Sequence, residues 1–72
     1  MIEAIINYIQ EKGYIVGVIP GCLLIRKMAK GRQWGINWAI SKVELRSLSW
    51  DLLTHAADQR LELMEKAIEG YQ

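Results

Sequence analysis

The stretch Trp34-Gly35-Ile36-Asn37-Trp38 alternates large apolar side chains with small or polar ones. Successive side chains of a strand leave on opposite faces, so Trp34, Ile36 and Trp38 project together, with Gly35 and Asn37 behind them. That pattern predicts a half-buried strand with one heavy face, and the neighbouring sequence is best read by asking what covers it.

Moving toward the N-terminus, Lys30-Gly31 marks a turn, Leu23 to Ala29 forms an extended run, Pro20-Gly21 marks a second turn, and Tyr14 to Ile19 is rich in β-branched and aromatic residues. Proline presets φ at one turn position and glycine supplies positive φ at the next. Three short strands with tight connections predict an antiparallel meander. Connections that keep the pairing of two-residue or four-residue loops place Val18 opposite Leu23 and Leu23 opposite Trp38. Val16, Ile25 and Ile36 then form one row, and Tyr14, Lys27 and Trp34 the next. One face is thereby apolar except for Lys27, whose stem is expected along the Trp34 ring. A three-residue loop at Lys30-Gly31-Arg32 would place Arg26 opposite Ile36 and mix the faces, so the unshifted register is preferred. The reverse face carries Ile15, Gly17, Ile19, Leu24, Arg26, Met28, Gln33, Gly35, Asn37 and Ala39, more apolar than a solvated sheet face usually is.

The meander is flanked by helical patterns. Ile2, Ile5, Ile6 and Ile9 recur at helical spacing in a segment of about three turns ending at Lys12, with Gly13 placed to terminate it. After Ile40, Ser41 and Glu44 fit a capping box. A single helix from there to Glu69 would put Arg46 on the apolar stripe, so a break is expected between Arg46 and Ser49, with Ser47 or Ser49 capping a final helix from Trp50 to Glu69. On that helix Trp50, Leu53, Ala57, Leu61, Met64 and Ile68 form one stripe, which Leu52, Ala56, Leu63 and Ala67 widen beyond what one sheet contact needs; Gly70 is expected to stop it. The predicted fold is α+β: a short N-terminal helix, a three-stranded antiparallel β-meander and a long C-terminal helix in a two-layer sandwich, with both helices on the tryptophan face or divided between faces.

The chain has 72 residues, 51% of them hydrophobic, and a formal charge of +1. Residues 1–72 are expected to make one small domain, near the size at which a single core barely suffices, so burial through oligomerisation is anticipated. Charge is distributed unevenly: Gly21 to Leu48 holds six basic residues against Glu44, whereas Ser49 to Gln72 holds five acidic residues against Arg60 and Lys66. Cys22 is the only cysteine, which excludes an intrachain disulfide and a cysteine-rich zinc motif and favours a reducing compartment. The longest uncharged run, Gly13 to Ile25, contains Pro20 and is too short to span a membrane. A cytoplasmic protein without membrane attachment is expected.

Signals for chemistry are weak. Asp51, His55 and Asp58 lie at i, i+4 and i+7 beside Glu62, but a single histidine without a second imidazole or thiolate falls short of a usual ligand set and reads as a solvated helix face. Cys22 lacks a nearby base and reads as a small hydrophobe at a strand end. Glycines are scattered singly, so no phosphate-cradling loop is present; Gly17 and Gly35 read as sites of close approach to the backbone. No catalytic, cofactor-binding or metal-binding residue is expected, and enzymatic activity is not anticipated. The expected function is a non-enzymatic protein-interaction module, homodimeric and open to another protein partner, using Ile15, Ile19, Leu24, Met28, Leu52 and Leu63. The alternative is nucleic-acid binding by the hairpin tip through Arg26, Lys27, Lys30 and Arg32.

Overall fold

The computed structural model describes residues 2–71. In chain order it contains α1 (Ile2–Glu11), β1 (Ile15–Ile19), β2 (Cys22–Ala29), β3 (Arg32–Ala39), α2 (Lys42–Ser47) and α3 (Trp50–Gly70). The α1 stripe buries Ile5 and Ile9 completely. Gly13 follows with φ of 97°, a conformation that its missing Cβ makes available.

The sheet has the order β1-β2-β3 and is antiparallel throughout. Its register is the expected one: Val18 opposes Leu23, Leu23 opposes Trp38, Val16 and Ile36 flank Ile25, and Lys27 opposes Trp34. The two-residue loop Lys30-Gly31 has φ of 52° and 75°. Positive φ at both positions matches the right-handed twist of the flanking strands and brings β3 back without a register slip.

Both helical layers lie on the tryptophan face. Leu23, Ile25 and Trp38 join Ile5, Ile9, Leu53, Ala57, Leu61, Met64 and Ile68 in one core, which Tyr14, Ile40 and Leu45 complete. Each fully buried leucine or isoleucine contributes about 1.5–3 kcal/mol of transfer free energy, so the shared interior holds helices that would be marginal alone. The break before α3 is also as expected. Ser41 Oγ accepts from the Glu44 amide at 3.1 Å, and Ser49 Oγ accepts from the Leu52 amide at 3.3 Å. No helix among the described residues is long and apolar enough to cross a membrane.

Three local expectations need correction. Gly70 does not stop α3 but is its last helical residue; the chain leaves at Tyr71, with φ of −83° and ψ of 130°. Trp50, expected on the buried stripe, is exposed on one side and meets Tyr8 edge-on, with ring centroids 5.8 Å apart. Gly17 marks no close approach, since a Cβ there would meet Leu24 at an ordinary 3.7 Å. Lys27, directly opposite Trp34, carries its Nζ over the Tyr14 ring and pairs with Glu65 Oε2 at 2.9 Å. The reason is the position of α3, which brings a carboxylate to this cation on the buried side of the sheet.

Glu65 serves two partners there, because the Tyr14 hydroxyl also donates to it at 2.6 Å. Tyr14 is 9% exposed, so its phenol has little access to water as a substitute. The Tyr14 hydrogen bond and then Lys27 hold the Glu65 carboxyl below its ordinary 4.5. A carboxylate with a depressed folded pKa stabilises the protein above its unfolded value and loses that contribution as pH falls through the folded value. Glu65→Ala is expected to cost about 1–2 kcal/mol near neutral pH, chiefly through the stranded Tyr14 hydroxyl. Denaturant midpoints measured between pH 7 and pH 2.5 should show the gap from wild type narrowing below about pH 4.5.

Candidate interaction surfaces

With both helices on one side, the other side of the sheet is left bare. Ile15, Ile19 and Met28 are 64%, 48% and 63% exposed, and Leu24 is half-buried among them. Arg26 stands in the middle of this face. Its cross-strand neighbours are Ile15 and Gly35, and Leu24 and Met28 flank it on its own strand. The guanidinium lies flat across β3, with Nη1 donating to the Ile25 and Ile36 carbonyls at 3.0 and 3.3 Å and Nη2 to Asn37 Oδ1 at 3.2 Å. A Cβ at Gly35 would fall 2.6 Å from Arg26 Cδ. The bare face is therefore apolar around a single cation already held in place.

A second apolar surface runs along α3. Leu53, Ala57, Leu61, Met64 and Ile68 point into the core. Leu52, Ala56, Leu63 and Ala67 occupy the adjoining flank, on the side away from Asp58 and Glu65, which meet Tyr8 and Tyr14. Leu52 and Leu63 are 55% and 61% exposed. The flank overhangs β3: an open groove of about 500 Å³ is lined by Ile36, Gln59, Arg60, Glu62, Leu63 and Lys66. Arg60 closes its inner wall by stacking on Trp38, 4.7 Å from the ring centroid. The six residues expected to bind a partner thus form two patches, four on the bare face and two on the α3 flank. At the far end of the sheet an apolar hollow of about 450 Å³ is bounded by Ile2, Val18, Cys22, Ile40 and Leu45, with Lys42 at its rim.

The basic hairpin is turned toward α3. Lys30 Nζ donates to the carbonyl oxygens of Ile68 at 2.6 Å and Tyr71 at 2.8 Å. A lysine there satisfies orphan carbonyls and meets the negative end of the helix dipole. Arg32 lies against both Trp34 and Tyr71, at 4.7 and 4.9 Å from their centroids, and those two rings meet edge-on at 5.3 Å. Lys27 is held by Glu65 and Arg26 by the sheet. All four cations assigned to a nucleic-acid grip have partners within the fold.

The remaining titratable residues are scattered. Asp58 accepts from the Tyr8 hydroxyl at 2.9 Å and pairs with Lys12 at 3.4 Å, and Glu62 pairs with Lys66 at 3.2 Å. The Tyr8 and Asp58 contacts push the Lys12 ammonium above its usual value. Among the described residues no group of three His, Cys, Asp or Glu side chains is placed to hold a metal ion. Cys22 begins β2 opposite Ile19 and Ala39, half-buried.

Sequence reading overlooked the lysine cap of α3 and the Arg60 wall of the groove. Lys30 and Ile68 are far apart in sequence, and no spacing rule links them; the cap becomes visible only once α3 is laid antiparallel to β3. Lys30→Met is expected to lower stability by about 1 kcal/mol and to fray the last turn of α3. Faster amide exchange at Tyr71, with exchange at Leu53 slowed as in wild type, would register that local loss.

In comparisons with known proteins, no family model matches this chain, and neither a curated protein nor a solved structure matches it.

Proposed function

We propose that this chain is a non-enzymatic protein-interaction module that acts as a homodimer. The observation that carries the reading is the apolar surface that a two-layer fold of this size leaves uncovered, on the α3 flank at Leu52 and Leu63 and on the bare face at Ile15, Ile19 and Met28. A chain of about this length buries only ~60% of its unfolded surface on its own, and a second subunit supplies further burial. The two patches suit different roles. A two-fold pairing of bare faces would bring Arg26 toward its own copy, which like-charge repulsion opposes. Self-association therefore uses the α3 side, and the bare face is left for a different protein that offers a carboxylate to Arg26 between apolar side chains. The lone Cys22 suits a cytoplasmic, reducing setting for such a module.

Sedimentation equilibrium over a concentration series tests this directly. Wild type is expected to shift from monomer to dimer, Leu63→Glu to weaken the dimer tenfold or more, and Met28→Glu to leave it unchanged. A wild-type mass that stays monomeric up to millimolar concentration would overturn the reading.

A further inference from the structure

The β3 strand lies at the edge of the sheet, and its unpaired backbone can be assigned residue by residue. The pair flanking a two-residue hairpin exchanges both of its hydrogen bonds, and bonded and non-bonded pairs then alternate along the ladder. Ala29 and Arg32 close the Lys30-Gly31 loop, so Arg32, Trp34, Ile36 and Trp38 bond to β2. The other hairpin agrees: closure at Ile19 and Cys22 turns the even-numbered residues of β2 toward β1 and leaves the odd-numbered ones for β3. The Ile40 amide, next in the series, donates back to Gly21 at 3.1 Å. Gln33, Gly35, Asn37 and Ala39 therefore aim their N–H and C=O groups away from the sheet. Among the described residues, none of the backbone hydrogen bonds outside the helices and the sheet involves them.

Edge strands are normally blunted by shortness, proline, a bulge or an inward charge. The opposite edge, β1, has five residues and runs into Pro20. By contrast β3 has eight residues, no proline and an unbroken register, with its only charge, Arg32, at its start. It also lies beneath the Leu63 groove, where Ile36 and Leu63 supply apolar surface among Gln59, Arg60, Glu62 and Lys66.

We infer that β3 pairs antiparallel with β3 of a second copy of this chain, about a two-fold axis at Ile36, to make a continuous six-stranded sheet. This rests on the homodimer reading and specifies its seam. The strand matches itself about that centre. Gln33 falls opposite Ala39 and Gly35 opposite Asn37, each twice, so all four outward residues are used and about eight hydrogen bonds form. On the core side each Trp34 lies beside a Trp38 and the two Ile36 side chains meet under the paired Leu63 grooves. On the bare side small and polar residues alternate across the seam. Arg32 falls opposite Ile40, outside the bonded rows, so among the residues of β3 itself the pairing opposes no like charges. A standard interface removes about 800 Å² from each partner, roughly a sixth of the 4858 Å² that one chain exposes.

Asn37→Pro is the direct test, because it removes an outward N–H and none of the backbone bonds to β2, with only the Asn37 side-chain bond from Arg26 lost beside it. Sedimentation equilibrium should give a dimer for wild type and for Met28→Glu, and a monomer with retained circular dichroism for Asn37→Pro, the dissociation constant rising a hundredfold or more. In wild type, exchange of the Gly35 and Asn37 amides should slow as concentration carries the protein from monomer to dimer. That measurement decides the matter if Asn37→Pro does not fold. A wild-type dimer whose Gly35 and Asn37 amides exchange as fast as in the monomer overturns the inference and leaves the homodimer standing. So does an Asn37→Pro dimer as tight as wild type. A wild type that is monomeric throughout overturns both.

Discussion

Positive φ at Lys30 and Gly31 lets β2 reverse into β3 across two residues, and the rest of the molecule depends on that reversal. A slip of one residue would send Trp34, Ile36 and Trp38 to the far side of the sheet and Gly35 and Asn37 into the core. With the observed register, Leu23 and Ile25 sit fully buried between aliphatic and tryptophan neighbours, giving α1 and α3 one continuous surface to cover. The same turn delivers Lys30 to the carbonyl end of α3, so one local conformation sets both the pairing of the sheet and the termination of the longest helix.

Placing both helices on one face has an electrostatic consequence. The basic central segment and the acidic last helix are laid against each other, and Lys27 with Glu65 and Lys30 with the α3 carbonyls join them. The sequence bipolarity is in this way largely internal. Such contacts at half-exposed positions each contribute little. Their effect here is to orient α3 along β3, which determines where Leu63 and the groove above Ile36 come to lie.

Much of this was legible from residue pattern. Period-two alternation in the strands and the Pro20-Gly21 and Lys30-Gly31 turns determine the meander and its rows, and the stripe Leu53, Ala57, Leu61, Met64 and Ile68 is the buried face of α3. The roles of Gly35 and Gly70 show where pattern stops. Gly35 could be read as a place of close approach, but only the structure names Arg26 as what approaches. Gly70 looked like a helix stop by residue type, yet tertiary contacts from Lys30 and the docking of Tyr71 on Arg32 and Trp34 carry the helix through it. The six candidate partner residues were legible as apolar positions without an evident cover. That they divide into two surfaces follows from three-dimensional placement, since Leu24 and Leu63 differ in neighbours and not in type.

The contact between Lys30 and Ile68 spans 38 residues of chain, and Tyr14 reaches Glu65 across 51. Neither can form until the hairpins are closed and α3 has docked, so they reward only the complete structure. The last turn of a helix is ordinarily the first place to fray, with an opening free energy near zero. Here that turn is bonded to a hairpin tip, so opening it also releases Arg32 and the aromatic pair beneath. The local openings that a small chain usually samples piecemeal are thereby tied to loss of the whole, and the domain gains an all-or-none character beyond what its buried area alone confers.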